Sequence, residues 1–288
     1  MPKPTRQGLL RVATCQFAVG GDPRQNGRTI RRYMAAAKRR GADVVHFSEC
    51  ALSGYAGSEF ATWKGYPWDT LRQETESILE EARRLALWTV LGSTHPLTPP
   101  HNPHNSLYII TPQGTILDRY DKRFLTVGDL DYYSAGDHWT LWDLGGVKCA
   151  ALICFDVRFP EAYREIKKLG AEMVFQSFYN ARVKKPGANI HTRIMRQTAQ
   201  AQCGINYLWM SANNSSAQYS SYPSVFIQPD GAIAAQLPMN RPGLMLNTVD
   251  TRRTFYDATG PFRPAVMKGQ RHTGRQVSDR RSRDRTHL

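Results

Sequence analysis

Two stretches of nine residues, YIITPQGTI at 108–116 and VFIQPDGAI at 225–233, share one pattern. In each, β-branched and aromatic residues precede a turn that contains proline and glycine, and an isoleucine follows it. This pattern is typical of a β-hairpin. A hairpin that occurs once in each half of the chain indicates an internal duplication, and two copies of the unit predict two layered sheets.

Before each hairpin, buried strands alternate with amphipathic helices, which indicates the α/β class with helices outside the sheets in one domain. In the first half, the expected strands are 10–17, 42–47 and 88–93, and the expected helices are 26–40 and 75–87. In the second half, the expected strands are 147–154, 172–176 and 207–212, and the expected helices are 160–169 and 188–203. The same order in both halves supports the duplication.

The composition is that of a chain with a packed core. Of 288 residues, 41% are hydrophobic and 22% are charged, which excludes wholesale disorder. The longest apolar stretches, such as 149–155, are far shorter than the roughly 20 residues of a transmembrane helix. The basic residues 1–6 are not followed by the apolar segment of a signal peptide. We therefore expect a cytoplasmic protein that does not enter a membrane.

The cysteines point to free thiols. Their odd number and the absence of C-x-x-C spacing fit neither a disulfide framework nor a zinc site. We expect a reducing compartment, no bound metal and at least one thiol available for chemistry. The five cysteines are Cys15, Cys50, Cys149, Cys154 and Cys203.

The chain is strongly basic, with 38 Lys and Arg against 24 Asp and Glu and a formal net charge of +14. Such a surplus can indicate nucleic-acid binding. Here, however, six arginines and two aspartates fall in the tail at 271–288, and the other charges are scattered over the expected helices. Nucleic acid is therefore not expected as the main partner.

Three polar residues follow expected strands: Glu49, Lys122 and Cys154. In α/β folds, groups just beyond the carboxyl ends of strands converge on one crevice. A carboxylate can take a thiol proton, the thiolate can attack a carbonyl or nitrile carbon, and an ammonium can stabilise the charge that develops. Each residue alone has a simpler explanation, because single cysteines usually pack in the core and single charged residues usually face water.

The sequences around these residues carry a resemblance. HFSECALSGY at 46–55, YDKRFL at 120–125 and LICFDVRFPEAYRE at 152–165 resemble the three signatures of the nitrilase, or carbon–nitrogen hydrolase, superfamily. The resemblance runs from about residue 11 to 242 and implies a four-layer α-β-β-α sandwich. We place this domain at 1–262 and a C-terminal arm with a basic tail at 263–288.

The resemblance implies a catalytic triad that needs no cofactor. By this resemblance, Glu49 would be the general base, Cys154 would be the nucleophile that forms a thioester, and Lys122 with the backbone N–H of Phe155 would hold the oxyanion. The ICFDVRFPE form resembles the amidase and carbamoyl-amidohydrolase branches more than the true nitrilases, whose cysteine motif usually continues with tryptophan and glutamate. Members of the family commonly form homodimers or larger assemblies, which we also expect here.

One departure concerns the second glutamate that many members carry between the lysine and cysteine motifs. The corresponding stretch, GDLDYYSAGD, contains no glutamate, so Asp129 or Asp131 would have to replace it. Distance from Gly136 slightly favours Asp129. A loop aspartate that only caps a turn is an equal alternative for each.

Other residues are candidates for the substrate pocket. Arg158 could bind a substrate carboxylate or form an ion pair beneath the cysteine turn, with Glu161 favoured in the first turn of the next helix, and we favour the structural role. Aromatic residues in the candidate loops could instead simply pack. The remaining candidates are Tyr55, Phe178, Tyr179 and Asn180.

The sequence thus predicts an amidohydrolase that cleaves a non-peptide C–N bond of a small amide or N-carbamoyl compound through a Cys154 acyl-enzyme. Nitrile hydrolysis and acyl transfer to an amine use the same three residues and remain alternatives. A further alternative is a non-catalytic protein whose basic tail binds an anionic partner.

Overall fold

The computed structural model describes residues 8–184 and 190–287. These residues divide into a large unit that ends at Tyr256 and a small unit that begins at Asp257. The boundary expected after residue 262 stays a prediction. Among the described residues, no helix has both the length and the apolar character needed to cross a membrane.

The large unit contains two six-stranded sheets and four long helices. The strands are β1 (Leu9–Gln16), β2 (Val44–His46), β3 (Trp88–His95), β4 (His104–Ile110), β5 (Ile116–Asp121), β6 (Leu141–Leu144), β7 (Val147–Ile153), β8 (Met173–Ser177), β9 (Trp209–Asn213), β10 (Val225–Ile227), β11 (Ile233–Gln236) and β12 (Gly243–Asp250). The helices are α1 (Pro23–Arg39), α2 (Trp68–Leu85), α3 (Pro160–Lys168) and α4 (Ile190–Asn206).

The two sheets have matching topologies. The first has the order β12-β1-β2-β3-β4-β5 and the second the order β11-β10-β9-β8-β7-β6. Within each, three successive strands are parallel (β1, β2 and β3; β7, β8 and β9), and an antiparallel hairpin follows. An antiparallel edge strand, β12 or β6, completes the sheet beside its first parallel strand.

The two hairpins are equivalent in register. Ile110 pairs with Ile116 in the first and Ile227 pairs with Ile233 in the second, at the same positions of the two nine-residue stretches. In both, the register shifts one residue before the first isoleucine of the pair. The internal duplication therefore extends to individual residue pairs.

A glycine at the tip of each hairpin packs against a helix. Gly114 has φ +74° and Gly231 has φ +86°, in the left-handed region that favours glycine. A Cβ atom would lie 2.4 Å from the carbonyl oxygen of Leu79 in α2 or 2.7 Å from that of Gln200 in α4. Each hairpin thus needs glycine both for its turn and for its close contact with a helix.

Each helix buries one face against a sheet. In α1, the Asp22 carboxylate caps the first turn by accepting a hydrogen bond from Arg24 N at 2.9 Å, and Pro23 occupies the first turn. Ile30 and Met34 of this helix pack in the same core as Val45 of β2. Helix α2 joins this core, whereas α3 and α4 pack with the second sheet. The expected four-layer sandwich is confirmed.

Between the sheets lies a second core with a polar centre. His46 of β2 forms hydrogen bonds of 2.8 Å with Ser211 of β9 and with Ser177 of β8. Ser211 also bonds Thr14 of β1 at 2.7 Å. Burial lowers the pKa of His46 to about 3, so the imidazole is neutral at ordinary pH. This network links the two sheets and fixes the carboxyl ends of their parallel strands in relation to each other.

The small unit contains two short helices, α5 (Arg263–Met267) and α6 (Arg280–Arg283). The Arg263 guanidinium forms an ion pair with the Asp257 carboxylate. Most of the side chains in this unit are exposed.

Candidate active site

Three strand ends of the large unit meet at the candidate site. Glu49 follows β2, Lys122 directly follows β5, and Cys154 directly follows β7. Strand β5 runs in the same direction as β2 because two antiparallel pairings separate β5 from β3. The carboxyl ends of all three strands can therefore contribute to one crevice.

The Glu49 carboxylate is fully buried and accepts three hydrogen bonds. Its Oε1 accepts from Lys122 Nζ at 2.9 Å and from Asn105 Nδ2 at 2.7 Å, and its Oε2 accepts from Tyr179 N at 2.7 Å. Burial raises the pKa of Glu49 above its usual range, although the Lys122 ammonium opposes this. The carboxylate is thus a stronger base than one in water, and it is fixed in position.

The Lys122 side chain lies between two carboxylates. It is fully buried, and its Nζ donates to Asp129 Oδ2 at 2.8 Å as well as to Glu49. Burial lowers the pKa of Lys122, but the charges of Glu49, Cys154 and Asp129 outweigh this and raise the pKa well above its usual value. The amine is therefore a permanent cation.

Asp129 is the aspartate that reaches the site. It is buried, and its carboxylate also accepts hydrogen bonds from Thr126 N at 2.9 Å and from the Tyr55 hydroxyl. Burial raises the pKa of Asp129, but the Lys122 ammonium and these donors outweigh it and hold the pKa below its usual range. Asp131, by contrast, is exposed.

Cys154 begins a short 3-10 helix and has the positive φ of +42°. Its side chain is half-buried, whereas the other four cysteines are buried. Asn180 Nδ2 donates a hydrogen bond to its Sγ at 3.4 Å. Burial and the Glu49 charge raise the pKa of the thiol above its usual value. The thiol is protonated at neutral pH and needs a base to become a nucleophile.

Asp156 connects the cysteine turn to the lysine strand. Its carboxylate accepts hydrogen bonds from Ile153 N at 2.8 Å, from Phe124 N at 3.0 Å and from the Tyr120 hydroxyl at 2.7 Å. Burial raises the pKa of Asp156 to about 6. The carboxylate thus holds β7 and β5 together at the points where Cys154 and Lys122 leave them.

Two stacked tyrosines lie between the site and the Glu59 carboxylate. The rings of Tyr55 and Tyr179 stack with centroids 4.7 Å apart and planes 9° apart. The Tyr179 hydroxyl donates to Glu59, whose carboxylate also accepts from Arg182 Nε at 3.0 Å. Tyr179 therefore contacts Glu49 through its backbone N–H and the Glu59–Arg182 ion pair through its hydroxyl.

Other predicted residues have smaller roles in this geometry. The carbonyl oxygen of Phe178 accepts a hydrogen bond from Glu49 N at 3.3 Å. Phe155 is half-buried, and its ring packs edge-on against Phe159. The half-buried Arg158 forms no ion pair with Glu161 or with any other residue that the structure describes. The ion pair favoured for Arg158 is thus absent from the described part of the chain.

Two residues at the site were not predicted from the sequence. Asn105 is fully buried, its side-chain amide donates to Glu49, and its backbone carbonyl oxygen accepts from Lys122 N at 2.8 Å. Its signal in the sequence is a polar residue at the start of the apolar strand HNSLYII. Tyr222 is buried beside Phe178, with ring centroids 5.3 Å apart, and follows a serine-rich loop that offers no such signal.

A profile of the carbon–nitrogen hydrolase family matches residues 11–255. An (R)-stereoselective amidase of Pseudomonas sp is 29% identical over 160 residues, which cover 56% of this chain and 56% of that protein. N-carbamoylputrescine amidase of Solanum lycopersicum is 28% identical over 222 residues, 72% of this chain and 70% of that protein. The match with the first of these relatives thus spans little more than half of its length.

Among solved structures, the fold is similar to that of an amidase from Nesterenkonia sp. AN1. The TM-score is 0.72 at 21% identity, with 86% of this chain and 91% of that chain covered. That structure shows the acetamide moiety of fluoroacetamide covalently added at the active site cysteine. The extent of the profile match establishes the class: this chain belongs to the carbon–nitrogen hydrolase family.

Proposed function

We propose that this chain is a thiol-dependent amidohydrolase that cleaves a non-peptide C–N bond of a small amide or N-carbamoyl compound through a Cys154 acyl-enzyme. The observation that carries the proposal is the buried Glu49–Lys122–Asp129 network beside the one half-buried cysteine. The match to amidases and to a carbamoyl amidase supports the choice of substrate class.

In the first stage, Glu49 takes the proton of the Cys154 thiol while the sulfur attacks the carbonyl carbon. The carbonyl oxygen gains the negative charge, and the Lys122 ammonium and the Phe155 N–H stabilise it. When the oxygen re-forms its double bond, the C–N bond breaks. Glu49 returns the proton to the leaving nitrogen, so ammonia or an amine departs and a thioester remains.

In the second stage, Glu49 takes a proton from a water molecule, which attacks the thioester carbon. The same two donors stabilise the second oxyanion. The C–S bond then breaks, the sulfur regains a proton from Glu49, and the acid product leaves. For an N-carbamoyl substrate the product of this stage is a carbamic acid.

The electrostatics support this exchange of protons. Burial raises the pKa of Glu49, which strengthens it as a base. The same shift lets the carboxyl hold the thiol proton until it is returned to the leaving nitrogen. The raised pKa of Cys154 keeps the resting thiol neutral until substrate and base are both in place.

Asp129 supports the network in place of a second glutamate. It accepts a hydrogen bond from the Lys122 amine, as Glu49 does, and its own carboxylate accepts one from Tyr55. Tyr55, Tyr179 and Asn180 form the wall of the acyl pocket in this proposal. Asp131 and Arg158 have no part in it.

The experiment is a measurement of ammonia release from simple amides, ω-amides, N-carbamoyl amines, N-carbamoyl amino acids and nitriles. Wild type and Cys154→Ala are assayed side by side, with Cys203→Ala as a matched control because Cys203 is buried in the core. We expect release from an amide or carbamoyl group that is lost only in Cys154→Ala. Release from nitriles alone, or equal rates in wild type and Cys154→Ala, would overturn the proposal.

A further inference from the structure

A chain of buried hydrogen bonds ends on Glu49, the base of the function proposed above. It contains Cys50, a fully buried thiol that the proposed mechanism does not use. The Cys50 thiol donates to Asn105 Oδ1 at 3.5 Å, and Asn105 Nδ2 donates to Glu49 Oε1 at 2.7 Å. The hydroxyl of Tyr133, a side chain that is 3% exposed, lies 3.7 Å from the same sulfur.

The direction of every hydrogen bond in this chain follows from its last member. An ionised Glu49 carboxylate can only accept, so the NH2 group of the Asn105 amide faces it and the amide oxygen faces Cys50. The amide oxygen can also only accept, so the single S–H proton of Cys50 points to Asn105. The Tyr133 hydroxyl accepts from Ala56 N at 3.0 Å and keeps its own proton for the Cys50 sulfur.

The surroundings of Cys50 fix its side chain in this position. Its φ is +50°, in the left-handed region that a residue other than glycine occupies only where its neighbours impose it. The Ser53 side chain also lies beside the sulfur, but its hydroxyl donates to the carbonyl oxygen of Gly54. Among the described residues, the Cys50 thiol is the only donor to the Asn105 amide oxygen. Without the thiol, that buried oxygen would have no donor.

The chain also connects the two carboxylates that bind Lys122. Tyr133 follows the 3-10 turn that begins at Asp129, and Tyr133 N donates to Asp129 O at 2.8 Å. The segment that places Asp129 against the amine is therefore linked by hydrogen bonds to the group that orients Glu49.

We propose that Cys50 is a positioning residue of the site, because its S–H group holds the Asn105 amide with the NH2 end toward Glu49 and so keeps the base ionised and in place. This inference rests on the function proposed above and adds to it a second cysteine without a covalent role. Burial raises the pKa of Glu49, and the hydrogen bond from Asn105 opposes this. Without that hydrogen bond, Glu49 would keep its proton up to a higher pH, and fewer molecules would have an ionised base.

Other groups that face Glu49 keep one charge state. The Lys122 ammonium favours the ionised carboxylate, and the Asp129 carboxylate disfavours it. Burial and the Glu49 charge raise the pKa values of the neutral thiols and hydroxyls beside it, which belong to Cys50, Cys154, Tyr55 and Tyr222. The variants below introduce no charge and remove none, so a change in the titration of Glu49 reports on its hydrogen bonds.

The pH dependence of kcat/KM tests the proposal. The acid midpoint, where kcat/KM falls to half on the acid side, reports the base of the free enzyme. We expect Asn105→Leu to raise the acid midpoint by about one pH unit and to lower kcat/KM about tenfold at pH values below it, the range of one hydrogen bond to a charged group. Cys50→Ala should move the midpoint in the same direction and lower kcat/KM about threefold, since a thiol is a weak donor.

Two further variants separate positioning from packing. Cys50→Ser keeps a donor at the same backbone conformation and should return part of the midpoint shift of Cys50→Ala. Cys203→Ala removes another fully buried thiol, in the core away from the site, and should leave the midpoint unchanged. An equal loss of rate at every pH in Cys50→Ala, with the midpoint in place, would mean that Cys50 only packs and would overturn the proposal.

Infrared spectroscopy tests the hydrogen bond without turnover. The S–H stretch absorbs where few other protein groups do, and a hydrogen-bonded S–H group absorbs at lower wavenumber than a free one. The Cys50 band is the difference between a protein and the same protein with Cys50→Ala. We expect this band at higher wavenumber in Asn105→Leu than in wild type. The same wavenumber in both proteins would contradict the proposed hydrogen bond.

Alkylation distinguishes a failure of this inference from a failure of the proposed function. If wild type hydrolyses none of the compounds, the rate of alkylation of Cys154 by iodoacetamide, followed by mass spectrometry, is measured against pH instead. A raised acid midpoint of that rate in Cys50→Ala would support the positioning role while the hydrolase function fails. Hydrolysis by wild type with the same acid midpoint in Cys50→Ala would overturn the positioning role alone.

Discussion

Lys122 is held between Glu49 and Asp129 in a fully buried position, so its removal affects both rate and stability. We expect Lys122→Met to lower kcat at least about 100-fold, because an oxyanion donor contributes about 3–4 kcal/mol. The two carboxylates left behind should also lower the free energy of unfolding by about 3–5 kcal/mol. Steady-state kinetics and urea denaturation measure the two effects.

A second change separates the two effects of Lys122. Adding Glu49→Gln to Lys122→Met removes one uncompensated charge, so part of the stability should return while activity stays lost. A Lys122→Met variant with normal kcat would rule out the oxyanion role. Unchanged stability would contradict the buried ion-pair network.

The two aspartates of the GDLDYYSAGD segment offer a matched comparison. Asp129→Asn should lower kcat/KM about tenfold or more, since a hydrogen bond to a charged group contributes about 1.5–3 kcal/mol. Asp131→Asn should leave kcat/KM within about twofold, because surface substitutions usually have small effects. The reverse order would assign the role of the family's second glutamate to Asp131.

At the scale of single residues, the sequence predicts those site residues that follow an expected strand and lie within a recognisable motif. Glu49, Lys122 and Cys154 each follow a strand, and their motifs resemble those of a family. Asn105 and Tyr222 reach the site only through folding: the first lies on a neighbouring antiparallel strand, and the second follows a loop without apolar periodicity. The choice between Asp129 and Asp131 depended on which side chain the local 3-10 turn, Asp129–Asp131, directs inward.

At the scale of elements, the link between β5 and β7 through Asp156 predicts a pH dependence. The pKa of Asp156 rises from 3.8 to about 6 on folding. Between these values the folded chain keeps a proton that the unfolded chain loses, so this group's contribution to stability falls as pH rises. The fall over this window is about 3 kcal/mol, at about 1.4 kcal/mol for each pKa unit.

Asp156→Asn removes this titration. Denaturation of wild type and variant at several pH values from about 4 to 7 should therefore show the wild type's stability advantage shrinking as pH rises. An advantage that grows with pH over the same range would mean that the carboxylate is stabilised in its charged form. That result would contradict the raised pKa.

The hairpin glycines predict the cost of changing a turn. Gly114→Ala and Gly231→Ala should each lower the free energy of unfolding by about 1–3 kcal/mol, because each residue has a positive φ and meets a helix carbonyl. Gly128→Ala is the control, with φ −71° and open space around its Cβ position, and should change stability by less than about 0.5 kcal/mol. Equal losses in the two variants would match the equivalent register of the two hairpins. No loss of stability in either variant would contradict the strain predicted from the positive φ and the close helix carbonyl.

Elements with strong periodicity were predicted near their observed limits, and weak ones were missed. Helix α2 begins at Trp68 rather than near residue 75, because its first turns bury little besides Leu71. The edge strands β6 and β12 were not predicted. Each lies beside only one other strand and has a partly exposed, irregular burial pattern that resembles a loop in the sequence.

At the scale of the whole molecule, the duplication explains where the site forms. Glu49 and Lys122 come from the first copy of the unit and Cys154 from the second, so the proposed triad requires both sheets. The neutral His46 network between the sheets fixes that arrangement. A homodimer or larger assembly, a cytoplasmic location and a partner for the basic tail stay predictions.

The most direct test of the account is to identify the group that carries the acyl intermediate. Wild type is mixed with a substrate that releases ammonia and quenched in acid, and its peptides are analysed by mass spectrometry. We predict one acyl group for each chain, labile to hydroxylamine, on the peptide that contains Cys154, and none in Cys154→Ala. An acyl group on another residue, or full turnover by Cys154→Ala, would contradict the account.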